Sequence, residues 1–172
     1  MVDLEPAEQV SIRAVRPDDR ERIVRAFQNL DRSSVYSRFF SWKKELSDEE
    51  LRRVTECDGV NEVVLVATAG SGDRETIVAL AGYVRRSATA DLHFVVEEDF
   101  QGRGIARRLL RELVDTARAN GTVRFQADVL AENTRMLAVL RNSGLHMRTS
   151  HDQGIVHATL SLCEHDRIST FP

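Results

Sequence analysis

Hydrophobic positions along the chain change period several times, and each change marks an element. Val10 to Val15 alternates as a short strand. Pro17-Asp18-Asp19 then opens a helix, with proline early and acids in the first turn, and Ile23, Val24, Phe27 and Leu30 form its apolar face. Asp31-Arg32-Ser33-Ser34 breaks the pattern, and Val35 to Phe40 resumes as a short helical segment. Ser47 and Glu50 stand at capping-box spacing ahead of Leu51 and Val54. Glu62 to Ala69 and Thr76 to Arg85 read as an antiparallel hairpin through Gly70-Ser71-Gly72-Asp73. A further strand, Asp91 to Val96, leads into a helix that reaches about Asn120. Ile105, Leu109, Leu110, Leu113, Val114 and Ala117 form its buried face, and Asn120-Gly121 stops it. Thr122 to Leu130 is the next strand, and a crossover of this kind makes the two strands parallel and right-handed. Glu132 to Asn142 is a helix, ended by Ser143-Gly144. Leu145 to Thr149 and Ile155 to Leu162 close the chain as a hairpin, and the tail after Cys163 is polar.

The predicted order is β-α-α-β-β-β-α-β-α-β-β: an α/β fold with a mixed, mostly antiparallel sheet and one central parallel βαβ crossover. Residues 1–172 read as one domain, with a core from about 10 to 162. With 42% hydrophobic and 30% charged residues, the composition is that of an ordinary globular chain. Net charge is −3, without a basic stripe, which argues against nucleic acid as a partner. The acidic start, Met1-Val2-Asp3-Leu4-Glu5, lacks the apolar core of a signal peptide, and no apolar run is long enough to cross a bilayer. The cysteines, Cys57 and Cys163, are widely separated, and no His/Cys cluster suggests a metal. The expected setting is the cytoplasm.

The chemistry concentrates just ahead of the third predicted helix, where Val96-Glu97-Glu98-Asp99-Phe100-Gln101-Gly102-Arg103-Gly104-Ile105-Ala106 joins strand to helix. Gly102 and Gly104 leave room for backbone N–H groups to converge, and the helix after them adds unpaired donors and the positive end of its dipole. Together they suit a phosphate or pyrophosphate. The order differs from the dinucleotide fingerprint, which needs a small residue where Arg107 stands. That fingerprint also puts its first glycine directly after the strand, whereas Glu97 to Gln101 intervene here.

Gln101-x-x-Gly104-x-Ala106 resembles the acyl-CoA pyrophosphate loop of the GNAT N-acetyltransferase superfamily. Ala131-Glu132-Asn133 through Leu137, with Ser143-Gly144-Leu145, resembles the family's second signature. Val35-Tyr36-Ser37-Arg38-Phe39-Phe40, Glu45-Leu46-Ser47 with Glu49-Glu50-Leu51, and Ala90 to Val96 are similar to bacterial protein-lysine acetyltransferase domains of the Pat type. The resemblance implies the GNAT fold, in which the parallel strands splay and admit the pantetheine arm. It also implies acetyl transfer from acetyl-CoA to a primary amine, by direct attack in a ternary complex and without a metal. It makes Phe94, Val95, Val96, Gln101, Gly102, Arg103, Gly104, Ile105, Ala106, Arg107 and Asn133 the expected cofactor-binding residues.

Asp91 stands where the resembling lysine acetyltransferases carry Glu, so it is the first candidate for the base that deprotonates the amine. An aspartate is one methylene shorter, which favours a bridging water. His93, two residues on and on the same strand face, is the second. Glu97, Glu98 and Asp99 have the charge to draw in a cationic amine, but read first as a solvated acidic turn. Where many members of the resembling family place a Tyr as general acid, seven residues after Asn133, Leu140 stands, which leaves the acid role vacant or filled by water. The acceptor implied is a protein lysine. A small-molecule amine acetyltransferase and a non-catalytic acyl-CoA-binding module are the alternatives, and a homodimer through an edge strand is compatible with the fold.

Overall fold

The computed structural model describes residues 9–30 and 45–163. The break expected at 31–34, the helical segment at 35–40 and the tail beyond 163 lie outside them. The described elements are β1 (Val10–Ala14), α1 (Arg20–Gln28), α2 (Asp48–Thr55), β2 (Glu62–Ala69), β3 (Thr76–Arg86), β4 (Thr89–Val96), α3 (Ile105–Ala119), β5 (Arg124–Leu130), α4 (Thr134–Arg141), β6 (His146–Asp152) and β7 (Ile155–Ser161). The strands form one seven-stranded sheet in the order β1-β2-β3-β4-β5-β7-β6. The pairings are antiparallel except β4 with β5, which is parallel. The expected mixed sheet with its central crossover is thus the observed one.

Boundaries move by a few residues, each for a local reason. β4 begins at Thr89 rather than Asp91, because Ser87 takes a φ of 62° and closes the β3–β4 turn earlier. The fourth helix begins at Thr134 rather than Glu132, because the Asn133 side chain accepts the Met136 N–H at 3.2 Å and caps it. The last hairpin is longer than expected, with β6 running to Asp152.

Two apolar layers sandwich the sheet. On one face Ile105, Leu109, Leu113 and Ala117 of α3 pack with Leu65, Ala81, Tyr83, Phe125 and Leu160 from the strands. On the other, Ile23 of α1 and Leu51 of α2 pack with Val66 and Ile77. The period of two along β4 divides its side chains between these faces. Leu92, Phe94 and Val96 pack with the α3 layer, while Asp91, His93, Val95 and Glu97 take the α1–α2 side.

A glycine is built into that second face. Gly82 of β3 lies opposite His93 of β4 and Val64 of β2. A Cβ there would stand 2.3 Å from the Val63 carbonyl oxygen and 2.8 Å from Cε1 of His93. Only glycine lets β2 close on β3 while the imidazole lies across it. Gly82→Ala is expected to cost about 1–3 kcal/mol through overpacking, read as a lower urea midpoint at constant m.

An ion network fastens β1 to the start of α1. The Arg13 guanidinium forks onto Asp19 at 2.7 and 2.8 Å and reaches Glu75 at 2.6 Å, and the Arg16 N–H donates to Asp19 at 2.7 Å. Asp19 is fully buried. Burial alone would raise its pKa, but the Arg13 fork and the Arg16 amide outweigh it and hold the carboxyl below its ordinary 3.8. A depressed folded-state pKa stabilises the fold above the unfolded value and loses that stabilisation as pH falls through the folded one. Asp19→Ala, which leaves Arg13 with Glu75 alone and the Arg16 N–H without its acceptor, is expected to cost about 1–3 kcal/mol in urea titrations. Asp19→Asn should flatten the stability–pH curve below about pH 4, where the wild-type carboxylate takes up its proton.

Candidate active site

β4 and β5 pair for three residues only: Thr89 with Arg124, Ala90 with Phe125, and Asp91 with Gln126. Beyond Asp91 they part. β5 continues beside β7 as far as Leu130, and β4 continues beside β3. The parting leaves a gap of about 310 Å³ between them, walled by Leu92, Phe94, Ala127 and Val129 and wedged by Asn133, Met136 and Leu140 of the α4 segment.

Backbone groups of β4 face this gap. The Glu97 N–H donates to the Val78 carbonyl of β3 at 2.9 Å. Alternation along the strand then turns the N–H and C=O of Phe94 and Val96 away from β3, toward the missing partner. The Val96 carbonyl is met there by the Gln101 side chain, whose Nε2 donates to it at 3.1 Å. The Arg135 guanidinium of α4 donates to the Gln101 Oε1 at 3.1 Å. Gln101 is therefore a brace between β4 and α4 across the mouth of the gap.

The gap opens into a groove of about 740 Å³ over the start of α3. Gly102 and Gly104 both take left-handed φ values, 76° and 78°, and a Cβ at either would meet nothing within 4 Å. The requirement for glycine there is the backbone conformation, which turns the chain so that its amides face the groove. Gly104 caps α3 without a side-chain hydrogen bond, which leaves the first N–H groups of the helix for a ligand. The apolar face of α3 is buried on the sheet, so this donor set is held rigidly.

The groove gathers Phe94, Val95, Val96, Gln101, Gly102, Gly104, Ile105, Ala106, Arg107 and Asn133. Arg103, also expected there, does not line it: its guanidinium lies over the Phe100 ring, 4.8 Å from the centroid. Arg108 turns the other way and donates to the Val10 carbonyl at 3.1 Å. Arg135, which the sequence reading did not single out, does line the groove. Its signal was its place in the first turn after Asn133.

On the α1–α2 side, a cavity of about 330 Å³ runs between those helices and β2–β4, with walls that include Ile23, Phe27, Leu80 and Val84. It touches the other two spaces at β4. His93 lines both this cavity and the gap, and Val95 lines both this cavity and the groove. Asp91 lines the gap alone, and its carboxylate pairs with Arg86 at 3.2 Å. Glu97 departs from the solvated turn expected of it: it is partly buried and lines the apolar cavity. Burial first, and then the neighbouring Asp99 charge, push its carboxyl pKa up. Its signal was the strand period itself, since 91, 93, 95 and 97 share one face. No group of His, Cys, Asp and Glu suited to a metal occurs among the described residues.

Comparison with known proteins agrees with this geometry. Residues 24–145 match the acetyltransferase (GNAT) family. The chain is 30% identical over 158 residues to the acetyltransferase Pat of Mycolicibacterium smegmatis, which covers 90% of this chain and 46% of that protein. The crystal structure of the GNAT domain of S. lividans PAT is similar with a TM-score of 0.80 at 30% identity, across 91% of this chain and 99% of that one. The putative acetyltransferase YncA of Salmonella typhimurium, solved with its cofactor acetyl-CoA, shares the fold with a TM-score of 0.70 at 21% identity, across 91% of this chain and 95% of that one. The chain spans between 46% and 64% of the length of the curated relatives it matches. With most of its length matched to the family, the chain belongs to the GNAT acetyltransferases.

Proposed function

We propose that this chain transfers an acetyl group from acetyl-CoA to a primary amine, with the lysine side chain of a protein as acceptor. The observation that carries the proposal is the meeting of three spaces on one strand: a phosphate-suited groove, a gap between parted strands, and an apolar cavity, joined at His93 and Val95.

The groove fits the phosphate end of the co-substrate, since the amides of the glycine loop and the uncapped start of α3 converge there and Arg107 and Arg135 add positive charge. The backbone groups of Phe94 and the N–H of Val96, whose carbonyl Gln101 already meets, suit the amides of a pantetheine arm, which takes the place of the absent strand pairing. The apolar walls of the gap, Leu92, Phe94, Ala127 and Val129, suit the acyl end. The acceptor enters from the α1–α2 side, where apolar walls suit the aliphatic stem of a lysine.

An alkyl ammonium, with a pKa of about 10.4, must lose a proton before it attacks. Asp91, His93 and Glu97 are the titratable groups on that face of β4. The nitrogen lone pair then forms the C–N bond. A backbone N–H of β4 supports the oxyanion, and the C–S bond breaks. Leu140 is fully buried and supplies no acid, so water protonates the leaving thiolate. Both cysteines lie outside all three spaces, consistent with direct attack. The similarity to Pat supports a lysine acceptor. The same apolar cavity also accommodates a small alkyl amine, which is the second reading.

The test is CoA release from acetyl-CoA with a panel of small amines and lysine-bearing proteins. Turnover is expected with both kinds of amine, and a preference for protein-borne lysine separates the two readings. Gly104→Glu puts a side chain and a like charge where phosphates bind. It is expected to weaken acetyl-CoA binding by about 100-fold or more in calorimetry and to abolish turnover. Tight acetyl-CoA binding with no release on any amine would make the chain a binding module instead.

A further inference from the structure

The cavity on the α1–α2 side carries six charged or titratable side chains: Glu50 and Arg53 from α2, Glu62 from β2, Tyr83 from β3, whose hydroxyl accepts from Asn120 at 3.3 Å, and His93 and Glu97 from β4. Most are already engaged. Arg53 pairs with Glu62 at 3.9 Å. The Glu50 carboxylate accepts the Ser47 N–H at 2.8 Å and closes the capping box of α2. Glu97 differs. Among the described residues no cation and no donor meets its carboxylate, although its backbone is fixed by the bond to Val78. A carboxylate held against apolar walls without a partner is costly, and the cost falls when a cation arrives.

Its position suits such an arrival. Val95 is where the acceptor cavity touches the cofactor groove. Glu97 is the next side chain on that face, about 7 Å further along the strand, and His93 is the previous one at the same interval. The two therefore flank the junction. Asp91 lies another step back, lines only the gap, and is paired with Arg86.

We propose that Glu97 receives the acceptor: its carboxylate pairs with the incoming alkyl ammonium and takes the proton the amine must lose. This rests on the acetyltransferase reading above. The step balances. The ammonium and the carboxylate become a neutral amine and a carboxylic acid. The amine lone pair forms the C–N bond and the C–S bond breaks. The second N–H proton passes through water to the thiolate, and Glu97 returns its own proton to water. Burial, followed by the Asp99 charge, brings the carboxyl nearer the working pH, as a base of this kind needs. The implied substrate class is a cationic alkyl amine rather than an uncharged aromatic one.

The experiment compares wild type with Glu97→Gln, using n-butylamine, a lysine peptide and hydroxylamine, which is uncharged at neutral pH. Acetyl-CoA binding by calorimetry serves as the control for folding and for the cofactor site, and is expected to be unchanged. For the alkyl amines, kcat/KM is expected to fall about 100-fold near neutral pH. The deficit should shrink as pH rises toward the amine's own pKa, about 10. Hydroxylamine turnover should be retained. Wild-type rates with butylamine in Glu97→Gln, or an equal loss with hydroxylamine, would overturn the proposal and leave the acetyltransferase reading intact. A wild type that binds acetyl-CoA but acetylates none of the three would overturn both.

Discussion

The structure turns on an interrupted pairing. Two parallel strands in the middle of a sheet should share a ladder along their length, yet β4 and β5 share only the first three positions. Past those positions, β4 presents a row of backbone donors and acceptors with no strand to meet them. Buried backbone groups left that way are costly, so such a row persists only where something else satisfies it. Part of the answer is internal, since the Gln101 amide meets the Val96 carbonyl. The remainder is the row that the proposed pantetheine arm, with amides of its own, would meet.

Holding that row open takes a wedge. Met136 and Leu140, one turn apart on α4, stand in the gap and pack against the main core. Leu140 occupies the position at which many resembling enzymes carry a tyrosine, and its complete burial makes it part of the wedge. Asn133 does two things there: it caps α4, and it lines both the gap and the groove. The bridge from Arg135 to Gln101 to Val96 closes the frame at the groove's mouth. The loop glycines complete it by their left-handed backbone and not by close packing, since nothing crowds either one.

Most of this architecture was legible in the sequence, because hydrophobic periods report which face each element buries. Period 3.6 marks the α3 face from Ile105 to Ala117, and period 2 marks the β2–β3 hairpin. The early parting of β4 and β5 has no such mark, since it depends on β5 finding β7, about 30 residues later in the chain, and on a wedge from α4. Only the family resemblance implied it. Among site residues, the glycine loop was legible because φ near 77° leaves glycine as the natural choice. Arg103 was not: an arginine beside a phosphate loop suggests a phosphate ligand, yet a neighbouring aromatic ring takes its guanidinium. Glu97 was misread for the opposite reason. Its neighbours Glu98 and Asp99 are exposed, and the three look alike in sequence, but only Glu97 keeps the register of β4.

That register lets one strand serve three purposes without conflict. Even-numbered side chains of β4 hold the α3 core, His93, Val95 and Glu97 face the cavity on the α1–α2 side, and the in-plane backbone groups face the gap. A slip of one residue would exchange core and acceptor face together. The division also separates what can vary. The groove depends on α3, α4 and the glycine loop, whereas the acceptor cavity depends on α1, α2 and the opposite face of the sheet. Changes at Glu97 or His93 therefore alter the cavity on the α1–α2 side without touching the amides of the groove. Changes at Gly104 do the reverse. A fold built this way can keep one donor groove while the opposite cavity changes, because the spaces meet at His93 and Val95 and lie on different sides of the same strand.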